Sequence, residues 1–336
     1  MNKIAIITSL SALILIGSSC GTSSVKPAHY LAMEDGEIDS SSRQEIHSLN
    51  DNIIATINSG TSDELMKYME VNPATHEDDV QKVRDTFTSI ARAMKDKELK
   101  LFKDYYFTCS GEGNIICTVF PKIDYDFQVN IPRIGDEMYL SLLETQEFEK
   151  LMISLEYIKQ DGKWKVHGYY INSFKIADKN AMQWYEEALP YYGKGYLVPA
   201  LFRLEICRRC LNPAPFLKYQ KETEIMKLAE KVEEDFTLRY PLPMELVKIN
   251  NSPLLYNIRA QFVQNDIVPV VWYITSYDLR DIDNLHVEAD AMSPVIQEMF
   301  PGITEGTQYL VFKAFTELPS DSNKSYNSYG TVIEIK

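Results

Sequence analysis

Apolar positions along the chain recur with a period of about 3.6 in some segments and about two in others, which predicts helices and strands respectively. From residue 44 to 68 they return at helical spacing, with a break at Gly60. This pattern predicts a helix followed by a shorter one. Thr61 and Glu64 have the spacing of a capping box at the start of the second helix. Residues 80–94 repeat the helical spacing and predict a further helix.

The next part of the chain alternates apolar and polar residues, as strands with one buried face do. The alternating segments are 99–109, 115–120, 125–131, 151–157 and 164–171. Residues 110–114, between the first two segments, contain two glycines and predict a hairpin. Helices followed by such a run of strands predict an α+β domain.

The second half of the chain begins with helical spacing and ends with a mixed pattern. Residues 179–211 and 218–236 are predicted to be helical, and Pro241 and Pro243 then interrupt the period. The segments that follow read strand, strand, helix, strand, strand: 258–263, 268–274, 285–299, 308–315 and 329–335. The sequence therefore predicts a second α+β region after the helices.

Two short motifs in the first α+β region resemble the nuclear-transport-factor-two-like fold, also called cystatin-like. They are Asn-Ser-Gly-Thr-Ser-Asp-Glu-Leu at 58–65 and Asp-Gly-Lys-Trp-Lys-Val at 161–166. The resemblance covers residues 44–174. It implies a curved antiparallel sheet wrapped on helices, an arrangement that can enclose a cavity.

Residues 179–211 resemble one tetratricopeptide repeat in the spacing of small and aromatic side chains. The residues that carry it are Ala181, Trp184, Tyr185, Ala188, Tyr191, Tyr192, Gly195, Ala200, Leu204 and Cys207. The pattern departs at Glu187 and Pro190, and a stable array needs at least about three repeats. A single unit predicts a helical hairpin that acts as a spacer.

The first twenty residues have the layout of a secretory signal. Lys3 is followed by an apolar run from 4 to 16, and Gly17, Ser18 and Ser19 precede Cys20. The segment resembles a bacterial lipoprotein signal, which implies that Cys20 is acylated and becomes the mature N-terminus. We therefore expect a lipid-anchored protein of the bacterial cell envelope, facing the periplasm or on the cell surface.

These patterns together predict five segments. They are a signal peptide (1–19), a lipid-anchored tether (20–43), a cystatin-like α+β domain (44–176), a tetratricopeptide-like helical spacer (177–240) and a C-terminal α+β domain (241–336). The apolar fraction of 45% is sufficient to fill hydrophobic cores. The net charge of −14 argues against a nucleic-acid partner, because an acidic surface repels phosphate backbones.

Four cysteines follow Cys20, and an exported chain with an even number permits disulfides. Cys109 and Cys117 lie at equal distances from the predicted hairpin turn, which favours a disulfide between them. Cys207 and Cys210 have the spacing of a redox dithiol, but they fall near the end of a predicted helix. Structural cysteines are the alternative interpretation for this second pair.

Candidate catalytic side chains are few. If the first sheet encloses a pocket, Asp124, Asp126 and His167 are its polar candidates for acid–base chemistry; the alternative is a solvated strand face. No metal-binding cluster, phosphate loop or nucleophile motif occurs, so no metal or cofactor is predicted. Tyrosines and Trp184 in residues 184–196 indicate either a sugar or peptide platform or ordinary core packing.

The sequence favours a non-catalytic binding or scaffolding protein that attaches to the membrane through its N-terminal lipid. The expected partner is an envelope protein or a glycan. One alternative is a small-molecule enzyme that uses the cavity of the first α+β domain. A second alternative is a periplasmic thiol-redox protein that uses Cys207 and Cys210.

Overall fold

The computed structural model describes residues 28–59, 62–70, 81, 84–85, 88, 91–92, 94–95, 97–121, 127–264, 266–321 and 324–335. Its helices are α1 (Ser40–Ser59), α2 (Ser62–Leu65), α3 (Ala181–Gly193), α4 (Leu197–Cys210), α5 (Glu222–Arg239) and α6 (Ile282–Met299). Its strands are β1 (His29–Glu34), β2 (Leu99–Ser110), β3 (Ile116–Val119), β4 (Phe127–Pro132), β5 (Glu137–Thr145), β6 (Glu149–Gln160), β7 (Lys163–Ile176), β8 (Leu217–Tyr219), β9 (Met244–Glu245), β10 (Leu254–Val263), β11 (Asp266–Ile274), β12 (Tyr309–Phe315) and β13 (Tyr329–Glu334).

The protein has a mixed α+β fold, and its described strands form three sheets. The N-terminal sheet has the strand order β1-β2-β5-β6-β7, and a small sheet has the order β3-β4-β8. The C-terminal sheet has the order β13-β12-β11-β10-β9. Its strands β11 and β12 pair in parallel, while the other described strand pairs are antiparallel. Helix α6 makes the connection that parallel neighbours require.

The N-terminal sheet is covered on both faces. On one face, Ile46 and Ile53 of α1 belong to the same core as Tyr157 of β6. On the other face, residues of β2, β5 and β7 share a core with α3, α4, α5 and the small sheet. Trp184 and Ala188 are among the helical members of that second core. The predicted helical spacer is therefore a wall of the N-terminal core, because its apolar side chains are buried against the sheet.

Hydrogen bonds between polar side chains hold α1 against the N-terminal sheet. The Asn50 side-chain amide donates to Ser141 Oγ at 2.8 Å, and the Tyr157 hydroxyl donates to Asn50 Oδ1 at 2.6 Å. His47 Nε2 lies 2.6 Å from Asp104 Oδ2, whose side chain is almost fully buried. Buried polar groups need such partners, so these contacts fix the position of the helix on the sheet.

The C-terminal sheet is covered by α6 on one face. Leu285, Met292 and Ile296 of the helix pack with Val271 and Phe312 of the two parallel strands. The opposite face of this sheet carries charged and aromatic side chains and is described below. No helix among the described residues is long and apolar enough to span a bilayer.

Helix α4 connects the two halves of the molecule. Its Leu197 and Phe202 belong to the C-terminal core, whereas its Leu204 belongs to the N-terminal core. Phe262 of β10 makes an edge contact with Trp184 of α3, with ring centroids 6.2 Å apart. The boundary predicted at residue 241 therefore joins two regions that share buried side chains.

The tether predicted over residues 20–43 is wrong from His29 onwards. Residues 29–34 form β1, which pairs with β2 as an edge strand of the N-terminal sheet. Helix α1 begins at Ser40, and a hydrogen bond from the Ser42 amide to Asp39 Oδ1 supports its start. The polar composition of this stretch reflects an exposed edge strand and a helix start, which are both solvated.

The hairpin predicted between β2 and β3 is also wrong. Strand β2 pairs with β1 and β5, while β3 pairs with β4 in the small sheet. The turn at 110–114 therefore leads the chain from one sheet into another. Two glycines with positive φ, Gly111 and Gly113, allow this change of direction.

Candidate functional site

The predicted acid–base residues do not form a described site. Asp124 and Asp126 lie outside the described residues. His167 is exposed on β7, and its Nδ1 lies 2.6 Å from Glu70 Oε2. The Glu70 amide donates to the Val166 carbonyl, which fixes this pair at the rim of the sheet. The contact gives His167 a structural partner, and the proposed chemical role of the three residues stays a prediction.

The space between α1 and the N-terminal sheet is nearly filled. A cavity of about 20 Å³ remains there. Its lining residues are Ile53, Ile57, Leu65, Ile153, Leu155, Val166, Tyr169 and Ile171. A volume of this size holds one water at most, and its apolar walls offer that water few partners. This cavity therefore has no room for a small-molecule substrate.

Cys207 and Cys210 are fully buried thiols at the end of α4. The Cys207 thiol donates to the Ala181 carbonyl oxygen at 3.1 Å. Burial raises the pKa of each thiol to about 12. Reactive dithiols instead have lowered pKa values and solvent access. The surroundings of this pair match those of structural cysteines.

We expect Cys207 and Cys210 to resist alkylation in the folded protein. With a pKa of about 12, only about one thiol in ten thousand is ionised at pH 8, and the thiolate is the reactive form. Treatment with iodoacetamide at pH 8, followed by peptide mass mapping, should show modification only after unfolding in guanidinium. Rapid modification of either cysteine in the native protein would contradict this burial.

Cys109 and Cys117 approach each other from different sheets. Their Sγ atoms lie 3.7 Å apart as thiols, with Cys109 on β2 and Cys117 on β3. The two cysteines approach each other without the predicted hairpin, because β2 and β3 do not pair with each other. Burial is the main cause that raises the pKa of Cys117 to about 12. Their oxidation to a disulfide stays a prediction.

In the predicted aromatic platform, Trp184 and Tyr185 are core residues, whereas Tyr191, Tyr192 and Tyr196 are partly exposed. Trp184 is 1% exposed, and its indole N–H donates to the Ile176 carbonyl oxygen at 3.2 Å. Tyr185 is also buried. Their faces are therefore occupied by protein atoms, and a sugar cannot stack on them.

An open aromatic surface occurs elsewhere, on the face of the C-terminal sheet away from α6. Strand register brings two rows of side chains to this face. Arg259, Val270, Val311 and Val332 form one row, and Asn257, Trp272, Lys313 and Gly330 form the next. Alternation places Val271 and Tyr273 in the core beneath α6, so Trp272 faces the opposite side.

Trp272 is the centre of a cluster that we call the Trp272 platform: Tyr256, Arg259, Trp272, Lys313 and Phe315. The Arg259 guanidinium carbon lies 4.5 Å from the Trp272 ring centroid, and Lys313 Nζ lies 4.9 Å from it. The rings of Tyr256 and Phe315 lie 5.8 Å and 5.2 Å from that of Trp272. These contacts hold the indole on the sheet while leaving it partly exposed.

In the described part of the chain, the two cations of the Trp272 platform form no close ion pair, although the Glu205 carboxylate on α4 interacts with Arg259 over a longer distance. Among the described residues, neither Arg259 nor Lys313 forms an ion pair within 4.0 Å. They are available to an anionic ligand that also stacks on the indole.

A cavity continues the same sheet face beyond Val270. Its volume is about 360 Å³. The lining residues are Val263, Gln264, Asp266, Val268, Gln308, Tyr309, Val311 and Val332. Amide, carboxylate and hydroxyl groups next to valine side chains suit a ligand with both hydroxyl groups and apolar carbon–hydrogen faces. The cavity and the platform share β11 and β12, so a chain-like ligand can occupy both.

Sequence reasoning missed this surface. Residues 266–274 contain four valines and isoleucines before Trp272, which reads as a strand buried on both faces. The available signal was the alternating placement of Arg259, Trp272 and Lys313 on three predicted strands. That signal becomes meaningful only when the strand register is known.

The described residues contain no group of three or more His, Cys, Asp or Glu side chains that could hold a metal ion. No protein family matches this sequence, and the comparisons with curated proteins and with solved structures likewise find no match.

Proposed function

We propose that this protein is a lipid-anchored, non-catalytic binding protein of the bacterial cell envelope, and that the Trp272 platform binds an acidic glycan. In this proposal, acylated Cys20 holds the chain at the membrane. The cystatin-like N-terminal sheet and the tetratricopeptide-like helices α3 and α4 form a rigid scaffold. The C-terminal sheet presents the binding surface.

The observation that carries the proposal is the placement of the partly exposed Trp272 indole beside two cations on the sheet face away from α6. A sugar ring stacks its apolar carbon–hydrogen face on an aromatic ring, as other amphipathic ligands do. The carboxylate of a uronic acid then accepts hydrogen bonds from Arg259 or Lys313, which are stronger because both partners are charged. A neutral glycan would gain only the first of these contributions.

Two findings argue against the alternative functions. The cavity between α1 and the N-terminal sheet has a volume of about 20 Å³ among the described residues, which is too small for a substrate. Burial raises the pKa of Cys207 and Cys210 to about 12, which opposes thiol-redox chemistry there. Binding at an open surface is the function that the described residues support.

The contribution of the ligand's negative charge to binding is tested with alginate, a polymer of uronic acids. Dextran is the neutral probe. We expect retention of the wild-type protein on alginate, with affinity that falls as salt is raised. The double variant Arg259→Gln and Lys313→Gln should bind alginate about tenfold more weakly or worse, because two charge-assisted contacts are lost.

Lys248→Gln is the matched control for this test. Lys248 is also exposed but lies beside Glu298, away from the platform. Its replacement should leave alginate binding unchanged. Equal retention of the wild-type protein on alginate and dextran, or equal losses in the two kinds of variant, would contradict the proposed anionic ligand.

A further inference from the structure

Three exposed apolar side chains lie close together where the described chain begins. We call them the Phe120 patch: Tyr30, Ile116 and Phe120, which are 41%, 63% and 62% exposed. The Tyr30 hydroxyl donates to the Thr118 carbonyl oxygen at 3.0 Å and accepts from the Thr118 amide at 3.2 Å. Ile116 and Phe120 lie two residues on either side of Thr118, so all three patch residues surround one point on β3.

The small sheet is amphipathic, and the Phe120 patch lies on its outer side. Its inward residues, including Cys117, Val129 and Leu217, belong to the N-terminal core. The alternate positions point outward and carry no Asp or Glu: Ile116, Thr118, Gln128, Asn130 and Lys218. In a chain with 48 acidic residues, a face that carries a lysine and no carboxylate among these positions is not repelled by an anionic surface.

The distance to the expected lipid is short. Tyr30 follows Cys20 by ten residues, and ten residues span at most about 36 Å when fully extended. If Cys20 is acylated, the start of β1 cannot leave the neighbourhood of the bilayer. A weak apolar contact then becomes effective, because the anchor keeps its local concentration high.

We propose that the Phe120 patch is a membrane-seating surface, which inserts into the lipid headgroup region and orients the anchored protein. The occupant is the bilayer itself. Aromatic and aliphatic side chains at this depth gain from burial while the polar outer residues of β4 stay among the headgroups. This inference rests on the acylation of Cys20 in the proposed function, but it is independent of glycan binding.

The test uses the full-length protein, purified from membranes and reconstituted into phosphatidylethanolamine–phosphatidylglycerol vesicles with and without brominated acyl chains. Bromine quenches a tryptophan only at short range. Phe120→Trp, or Ile116→Trp as a second reporter, places an indole in the patch. Leu238→Trp is the matched control, because Leu238 is 75% exposed on α5. The emission of the wild-type protein is subtracted from each spectrum.

The patch reporters should lose most of their added emission in brominated vesicles and shift to shorter wavelength, whereas the Leu238→Trp signal should not change. Vesicle flotation, with Cys20→Ser as the unanchored control, reports the anchor separately. Wild-type protein that floats while both patch reporters stay unquenched overturns the seating surface and leaves the anchor intact. Wild-type protein that does not float overturns the anchor and the seating surface together.

Discussion

Replacement of Gly302 by alanine should lower the free energy of unfolding by about 3 kcal/mol, because the change combines a backbone penalty with a steric clash. Gly302 has φ near +77°, and a Cβ atom there would clash with the Tyr196 ring. Tyr196 directly precedes α4, and Gly302 follows α6. The clash would therefore disturb the packing of α4 and α6 in the C-terminal core. Thermal and denaturant unfolding measure the effect.

Gly195→Ala is the matched control for the change at Gly302. Gly195 has φ near +75°, but a Cβ atom there would meet no other residue within 4 Å. This variant carries only the backbone penalty, of about 1 kcal/mol. Equal losses of stability in the two variants would show that the close contact between Tyr196 and Gly302 does not exist in solution.

Trp184→Ala should destabilise the protein by about 4 kcal/mol, in the range found for large aromatic residues removed from cores. Trp184 is 1% exposed, and Lys179 Nζ lies 4.6 Å from its ring centroid. It also contacts Phe262 of the C-terminal sheet. The variant therefore loses packing in both halves of the molecule.

The matched control for Trp184→Ala lies on the same helix. Leu189 is 42% exposed, so Leu189→Ala should change the free energy of unfolding by less than about 1 kcal/mol. Denaturant unfolding of both variants provides the comparison. A similar small loss for Trp184→Ala would contradict the burial of α3 between the two sheets.

Most C-terminal elements are predicted well by the sequence because α6, β10, β12 and β13 each have one buried face. The predicted strand, strand, helix, strand, strand pattern agrees with β10, β11, α6, β12 and β13, with differences of a few residues at the ends. Helices α3 and α4 are likewise predicted, and Pro190 is accommodated inside α3. Periodicity is a reliable signal wherever one face is solvated.

The missed and wrong elements have identifiable causes. Strand β5 was not predicted, because six consecutive residues from Met138 to Leu143 are buried and leave no alternation. Strand β1 was assigned to a tether, because an edge strand keeps a polar and exposed composition. Local sequence also cannot show that β3 joins a different sheet from β2, since strand pairing is a long-range property.

The candidate site is harder to predict from the sequence than the secondary structure. Arg259, Trp272 and Lys313 are up to 54 positions apart and converge only through the register of three strands. The tyrosine-rich segment 184–196 was the more obvious aromatic cluster, yet helical spacing buries its tryptophan.

The central claim is that Trp272 is the stacking residue of an acidic-glycan site, and calorimetric titration with alginate oligosaccharides tests it most directly. We predict that Trp272→Ala binds about tenfold more weakly or worse than the wild-type protein, a loss of about 1.4 kcal/mol. Leu238→Ala, at an exposed position on α5, should bind as the wild type does. Unchanged affinity in a folded Trp272→Ala variant, or no binding by the wild-type protein, would contradict the account.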